Sequence, residues 1–228
     1  LEDGKYRLIL KTDAETLSLC SLSYERLGDA DEKPVAELSY DMKLWASFND
    51  WSGQDMQRNG DDLIWWCEAD VPAGGGEFGI KNAAMDGWYS SENNSKNIVL
   101  EEGHYMFFIE LEVVDGKPVL KDEIIAEEPA YYVVGTCGNA GWAADANAEN
   151  TAYKMTEQDS KYVLTVTFTE DETVDWAENK VAFKVAYGCG GKVANENWFG
   201  AEGMDNVTVD PGTYTITFDP ATGAVTVE

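Results

Sequence analysis

The chain has 228 residues, with 43 acidic and 16 basic side chains and a net charge of −27. A surface this negative repels phosphate and anionic lipid, which excludes nucleic acid and argues against a membrane surface as partner. At 44% apolar and 12% aromatic, with 8 Trp and 11 Tyr, the composition is that of a globular chain with more rings than its core needs.

The first predicted element is an N-terminal hairpin, assigned to residues 1–28. Residues 4–10 (Gly4-Lys5-Tyr6-Arg7-Leu8-Ile9-Leu10) read as a strand, with a turn near Thr12-Asp13-Ala14-Glu15. It is either the closing hairpin of a preceding, truncated repeat or a pair of strands added to the next module. Next, Tyr40-Asp41-Met42-Lys43-Leu44-Trp45 runs to Asn49-Asp50-Trp51. Met42, Leu44 and Ala46 form its inner set, which leaves Trp45 outward or at an edge. Residues 63–69 come after it, with Leu63, Trp65, Cys67 and Ala69 inward and Trp66 pointing the other way. Then come a strand at 76–82, Gly87-Trp88-Tyr89 before a strand at 97–100, and a strand at 103–109 with its turn at Asp115-Gly116-Lys117-Pro118. Glu127-Glu128-Pro129 has linker composition.

Beyond that linker the same landmarks return in the same order. Tyr131-Tyr132-Val133-Val134 runs to Asn139-Ala140-Gly141-Trp142, with strands after it at 162–168 and 181–187. Asn197-Trp198-Phe199-Gly200 precedes a strand at 206–209, and residues 212–227 read strand, Pro/Gly turn, strand. The leading glycines Gly4, Gly103 and Gly212 are 99 and 109 residues apart. A period near 100 fits one small β-sandwich per repeat. The expected fold is therefore all-β: two tandem immunoglobulin-like sandwiches at 34–124 and 129–228, plus the N-terminal hairpin.

Candidate chemistry is narrow. No apolar run reaches the roughly 18 residues that span a membrane, so no direct insertion is expected. The lack of a charged-then-apolar leader reads as a mature form or an excised fragment. The four cysteines have no zinc spacing, His104 is the only histidine, and no D-x-[DN]-x-[DN]-G loop exists, so no metal, cofactor or catalytic residue is assigned. Cys137 and Cys189 stand after strands whose loops can share one end of a sandwich, which allows a disulfide. Cys20 with Cys67 is a second pairing, and buried free thiols are the alternative. Four tryptophans, Trp51, Trp88, Trp142 and Trp198, lie at strand ends beside polar, Gly-rich loops. A pair per repeat makes a flat platform of the kind a sugar ring stacks on, with Asn, Asp, Glu and Lys nearby for its hydroxyls.

Residues 46–53 (Ala46-Ser47-Phe48-Asn49-Asp50-Trp51-Ser52-Gly53), Asp70-Val71-Pro72-Ala73-Gly74, Glu77-Phe78 and Asp86-Gly87-Trp88 resemble the glycogen- and starch-binding early-set β-sandwich modules. The second repeat is similar to the tandem starch-binding modules of gut bacterial surface lipoproteins and to amylase-associated modules. The residues that carry this are Tyr132-Val133-Val134-Gly135, Phe183-Lys184-Val185, Trp198-Phe199-Gly200 and residues 212–223. The resemblance implies non-catalytic binding of α-glucan (starch, maltooligosaccharides) by an extracellular or cell-surface bacterial protein, with amylases or scaffold proteins as candidate partners. It implies platforms of Trp51 with Trp88, and of Trp142 with Trp198; Tyr89 and Phe199, the residues after Trp88 and Trp198, are further candidate binding residues. Lys184 matches the family's hydroxyl-bonding lysine; Lys81 and Asn82 are the candidates in the first module, and the second module departs from the family in a longer loop, residues 188–195, that offers Lys192 and Asn195 to the ligand. Gly79 stands where the family carries its lysine, and Lys81, two residues on, keeps the same face. Competing readings are a jelly-roll-type glycoside hydrolase, which needs a carboxylate pair, and a structural or adhesion spacer in which the loop tryptophans are plugs.

Overall fold

A computed structural model describes residues 5–12, 19–28, 41–82, 87–91, 96–114, 117–138, 151–202 and 205–228. The chain divides into two compact units, 1–39 and 40–228. In the first, β1 (Lys5–Thr12) pairs antiparallel with β2 (Leu19–Gly28) in a two-stranded sheet.

The second unit is all-β and is built from antiparallel sheets that fall into two pairs. Residues 42–127 supply the first pair. One sheet joins β3 (Met42–Ala46), β4 (Gln54–Asp55), β7 (Gly76–Asn82), β8 (Gly87–Tyr89) and β9 (Ile98–Leu100). The other joins β5 (Gln57–Arg58), β6 (Ile64–Val71), β10 (Gly103–Val114), β11 (Lys117–Leu120) and β12 (Ile125–Glu127). Alternation sends Met42, Leu44 and Ala46 inward from β3, Phe78 and Ile80 from β7, Trp65 and Cys67 from β6, and Phe107 and Ile109 from β10. Phe78 meets Phe107 edge to face at 5.0 Å, the aromatic geometry that the ring quadrupoles favour.

Residues 130–227 repeat the plan. β13 (Ala130–Gly135), β16 (Val181–Cys189), β17 (Lys192–Phe199) and β18 (Val207–Val209) make one sheet. β14 (Thr156–Gln158), β15 (Lys161–Phe168), β19 (Gly212–Asp219) and β20 (Ala224–Val227) make the other. β16 pairs with β13, β17 and β18 as β7 pairs with β3, β8 and β9. The matched landmarks in the sequence thus occupy equivalent strands. Val133, Phe168, Phe183, Val185, Ile216 and Phe218 form the core between these sheets.

The stretch expected to be a linker is short. Glu127 ends β12, which pairs with β10, and only Glu128 and Pro129 precede β13. The two sandwiches are also packed together. The outer face of β6 and β10 presents Trp66, Met106 and Phe108, which cluster with Cys189 and Ala194 of the second sandwich. This explains why Trp65, Trp66 and Cys67 are all buried in succession, as are residues 106–109: these strand segments are covered on both faces.

Polar clasps flank the apolar contact. Asn59 accepts a hydrogen bond from the Asn195 backbone at 2.7 Å and donates to the Val193 carbonyl at 3.4 Å. The Cys189 thiol points at the Met106 carbonyl at 3.6 Å. Glu110 of the first sandwich pairs with Lys192 of the second and with Lys121 at 2.5 Å. Partial burial pushes the Glu110 carboxyl up, but the two ammonium hydrogen bonds outweigh it and hold the carboxyl below its usual range.

His104 is a structural pair rather than a ligand set. Its Nδ1 lies 2.8 Å from Asp70 and its Nε2 3.0 Å from Glu68 across the β6–β10 ladder. Desolvation lowers its pKa, while hydrogen bonds to Asp70 and Glu68 outweigh that and raise it above 6.5. A raised histidine stabilises the fold fully below its unfolded pKa, and the contribution fades as pH rises through the folded value. The wild-type chain should therefore gain over His104→Gln at pH 5.5 by at most about 1 kcal/mol, the ceiling for exposed pairs, and the gap should close by pH 8.5. Urea titrations at the two pH values check this; an equal gap at both would refute it.

Candidate functional site

The first candidate surface is the outer face of the β3–β7–β8 sheet. With Met42, Leu44 and Ala46 turned inward, Lys43 and Trp45 point out. Gly79 of β7 stands directly across from Trp45, and Lys81 across from both Lys43 and Trp88. Gly79 has a steric reason here: a Cβ on it would fall 2.3 Å from Cζ2 of Trp88. The missing side chain lets the Trp88 indole lie against the strand beside Trp45. The Lys81 ammonium sits 5.9 Å from the Trp45 ring centroid, within cation–π range. Trp45 is held from the other side by Gly53, where a Cβ would lie 2.9 Å from its ring. Its indole Nε1 is buried without a hydrogen-bond partner among the described residues.

Trp51 stands on the turn after β3 and is 36% exposed. Asp50 and Trp51 both adopt positive φ, 54° and 53°, which is unusual for a bulky side chain. The Trp51 amide donates to the Ala46 carbonyl at 2.9 Å and closes that turn. Asn49 stiffens it further, accepting from the Ala46 amide and donating to the Leu44 carbonyl, each at 3.0 Å.

Other residues singled out in the sequence are placed differently. Tyr89 pairs with Ile80 and Asn82 with Met42, so both face the core of the first sandwich; Asn82 is fully buried. Phe199 pairs with Val185 and packs against Phe218 at 4.5 Å, inside the second sandwich. Strand parity is the reason: if Trp88 and Trp198 point outward, the residue after each points inward. Lys184 does lie on the outer side of its sheet, across from Val134.

Trp142 lies outside the described residues. The flanks of its loop are anchored on Glu172, whose Oε1 accepts from the Gly138 amide at 2.7 Å and the Tyr153 hydroxyl at 3.0 Å. Burial raises the Glu172 carboxyl, and these bonds with two from Thr169 outweigh it and hold it low.

Lys192, Asn195 and Trp198 meet at the seam between the sandwiches. They line a cavity of about 180 Å³ together with Asn59, Asp62 and Phe108. Sequence reasoning missed this seam. It also left Trp45 out of the site, although its strand parity was readable.

Of the two alternatives for the cysteines, disulfides or buried free thiols, the described ones follow the second. Cys67, Cys137 and Cys189 are free and buried. Cys137 belongs to the core of the second sandwich, while Cys189 sits in the cluster that faces the first. Burial pushes all three thiols up to about 12. Among the described residues no group of three or more His, Cys, Asp or Glu side chains is arranged to hold a metal.

The steric role of Gly79 gives a direct test. Gly79→Ala should force the Trp88 ring off the sheet while leaving the fold intact. Far-UV circular dichroism should be unchanged and the near-UV tryptophan signal altered; an unaltered near-UV signal would contradict the placement.

No protein-family model matches the chain. No curated protein matches it either. Among solved structures, that of SusF from Bacteroides thetaiotaomicron aligns with 82% of this chain and 47% of its own, at 14% identity and a TM-score of 0.37. The chain thus spans about half the length of that structure. A likeness this distant carries no argument about function.

Proposed function

We propose that the chain binds a neutral polysaccharide, an α-glucan such as starch or its oligosaccharides, without cleaving it. The observation that carries the reading is the outward aromatic face of the first sandwich, where Trp88 lies over Gly79, Trp45 stands across from that glycine, and Lys81 is beside them. Flat indole surface suits the C–H faces of pyranose rings, and a lysine beside it donates to ring hydroxyls. Trp51, exposed on the neighbouring turn, extends the apolar surface.

Energetics support weak, repeated contact. A stacked ring contributes about 0.5–1.5 kcal/mol beyond its burial, and a neutral hydrogen bond about 1 kcal/mol. Two rings and a few bonds correspond to a Kd of roughly micromolar to millimolar. A polymer that engages several sites at once compensates through effective concentration. The charge of −27 does not oppose an uncharged ligand, and it favours solubility in an extracellular or cell-surface setting. Among the described residues no helix is long and apolar enough to cross a membrane.

The catalytic alternative finds less support. A glycosidase needs a carboxyl raised in pKa to act as general acid. Among the described residues, Glu110 and Glu172 have carboxyls held below their usual range by their hydrogen bonds, the opposite of what a general acid needs. Electrophoresis through gels containing amylopectin, glycogen, cellulose or xylan, alongside a reducing-sugar assay, tests the reading. Retardation by amylopectin without sugar release is expected. Release of reducing sugar would overturn it in favour of an enzyme, and free passage through every gel in favour of a spacer.

A further inference from the structure

We infer that the seam between the two sandwiches is a second, separate sugar site that takes a single ring. It rests on the carbohydrate reading above but on different residues. The cavity there measures about 180 Å³, with Ile64 and Phe108 of the first sandwich and Val193 and Trp198 of the second among its lining residues. Asp62 of the first sandwich and Asn195 of the second add polar groups to the lining.

The polar groups around this cavity fall into two sets. Asn59 and Lys192 are committed to holding the sandwiches together, through the Asn195 and Val193 backbones and through Glu110. The Asp62 carboxylate and the Asn195 carboxamide have no partner among the described residues. Asp62 uses only its backbone carbonyl, which accepts from Arg58 Nε at 2.8 Å. The Asn195 amide is packed over Gly60, at 2.6 Å from where a Cβ would stand. Gly60, at φ +65°, therefore gives it room as well as making the turn.

A flat indole, an apolar floor, a free carboxylate acceptor and a free amide form a set that matches a polyhydroxylated ring. An anion is disfavoured, because the Lys192 ammonium, the one cation among the described lining residues, is neutralised by Glu110 while Asp62 adds negative charge. Size sets the rest. Pockets for larger ligands run from about 300 to 1,000 Å³, so this one admits one ring, and a glucan chain enters it by its end. The open face of the first sandwich, in contrast, suits the interior of a chain.

Maltose, titrated calorimetrically into the whole chain, separates the two sites. In a Trp88→Ala background, where the open face is disabled, maltose binding is expected to persist. Adding Asp62→Ala or Asn195→Ala, both exposed side chains whose loss leaves the core intact, should weaken it at least tenfold. The inference is overturned if the Trp88→Ala chain does not bind maltose, or if both added substitutions leave its binding unchanged. Failure of the proposed function has its own signature, an unsubstituted chain that is not retarded by amylopectin.

Discussion

Replacing Trp88 by alanine is expected to remove most of the retardation of the chain by amylopectin. The indole lies on the open sheet face over Gly79, so its loss removes half of the aromatic surface without opening the core. Stacking and the apolar contact of one ring together contribute about 2 kcal/mol, which is about a 30-fold rise in Kd. The melting temperature should stay within a few degrees, because the side chain lies on the outer side of its sheet and not between the two sheets. Lys81→Ala should act in the same direction and more weakly, since it removes a hydroxyl donor and a cation over Trp45 but no flat surface. Undiminished retardation of Trp88→Ala would move the site elsewhere on the molecule.

The second large effect concerns the junction. Phe108→Ala is expected to destabilise the chain by about 3–5 kcal/mol, the usual loss for a buried phenylalanine. Phe108 is 1% exposed, yet it faces outward from its own sandwich and is covered by the second one. Its removal should therefore uncouple the two sandwiches, turning one calorimetric transition into two. Phe107→Ala, one residue earlier and facing the inner core beside Phe78, should instead lower the stability of the first sandwich alone. A single, merely shifted transition for Phe108→Ala would show that the two sandwiches do not depend on that contact.

Much of this architecture is readable in the sequence, because a half-buried strand writes its orientation as a period of two. Met42, Leu44 and Ala46 mark the inner face of β3, and the same rule sends Trp45 outward. Order and spacing of the landmarks show the duplication, since equivalent strands need equivalent side chains. Parity also separates Trp88 from Tyr89 and Trp198 from Phe199; grouping them by adjacency put core residues into the site.

Pairing rules within one sandwich do not reveal the surface between two. Trp66, Met106 and Phe108 are on outer positions, and their only sequence signal is that apolar residues run on where alternation should break them. Residues 65–67 and 106–109 carry that signal. The cysteines illustrate the same limit. Cys137 lies just past the end of one strand and Cys189 ends another in the same sheet, but the antiparallel register, Ala130 across from Gly188 and Gly135 across from Phe183, puts them at opposite ends of that ladder, one facing its own core and the other the neighbouring sandwich.

The outward face formed by Trp45, Gly79, Lys81 and Trp88 is the centre of the proposed binding. Its most direct test is a titration of the chain, labelled with 15N at the indoles, with maltoheptaose. The Trp45 and Trp88 side-chain signals should move together with one Kd, while that of Trp65, buried in the core, stays fixed. Unmoved Trp45 and Trp88 signals, with the sugar bound or not, would contradict it.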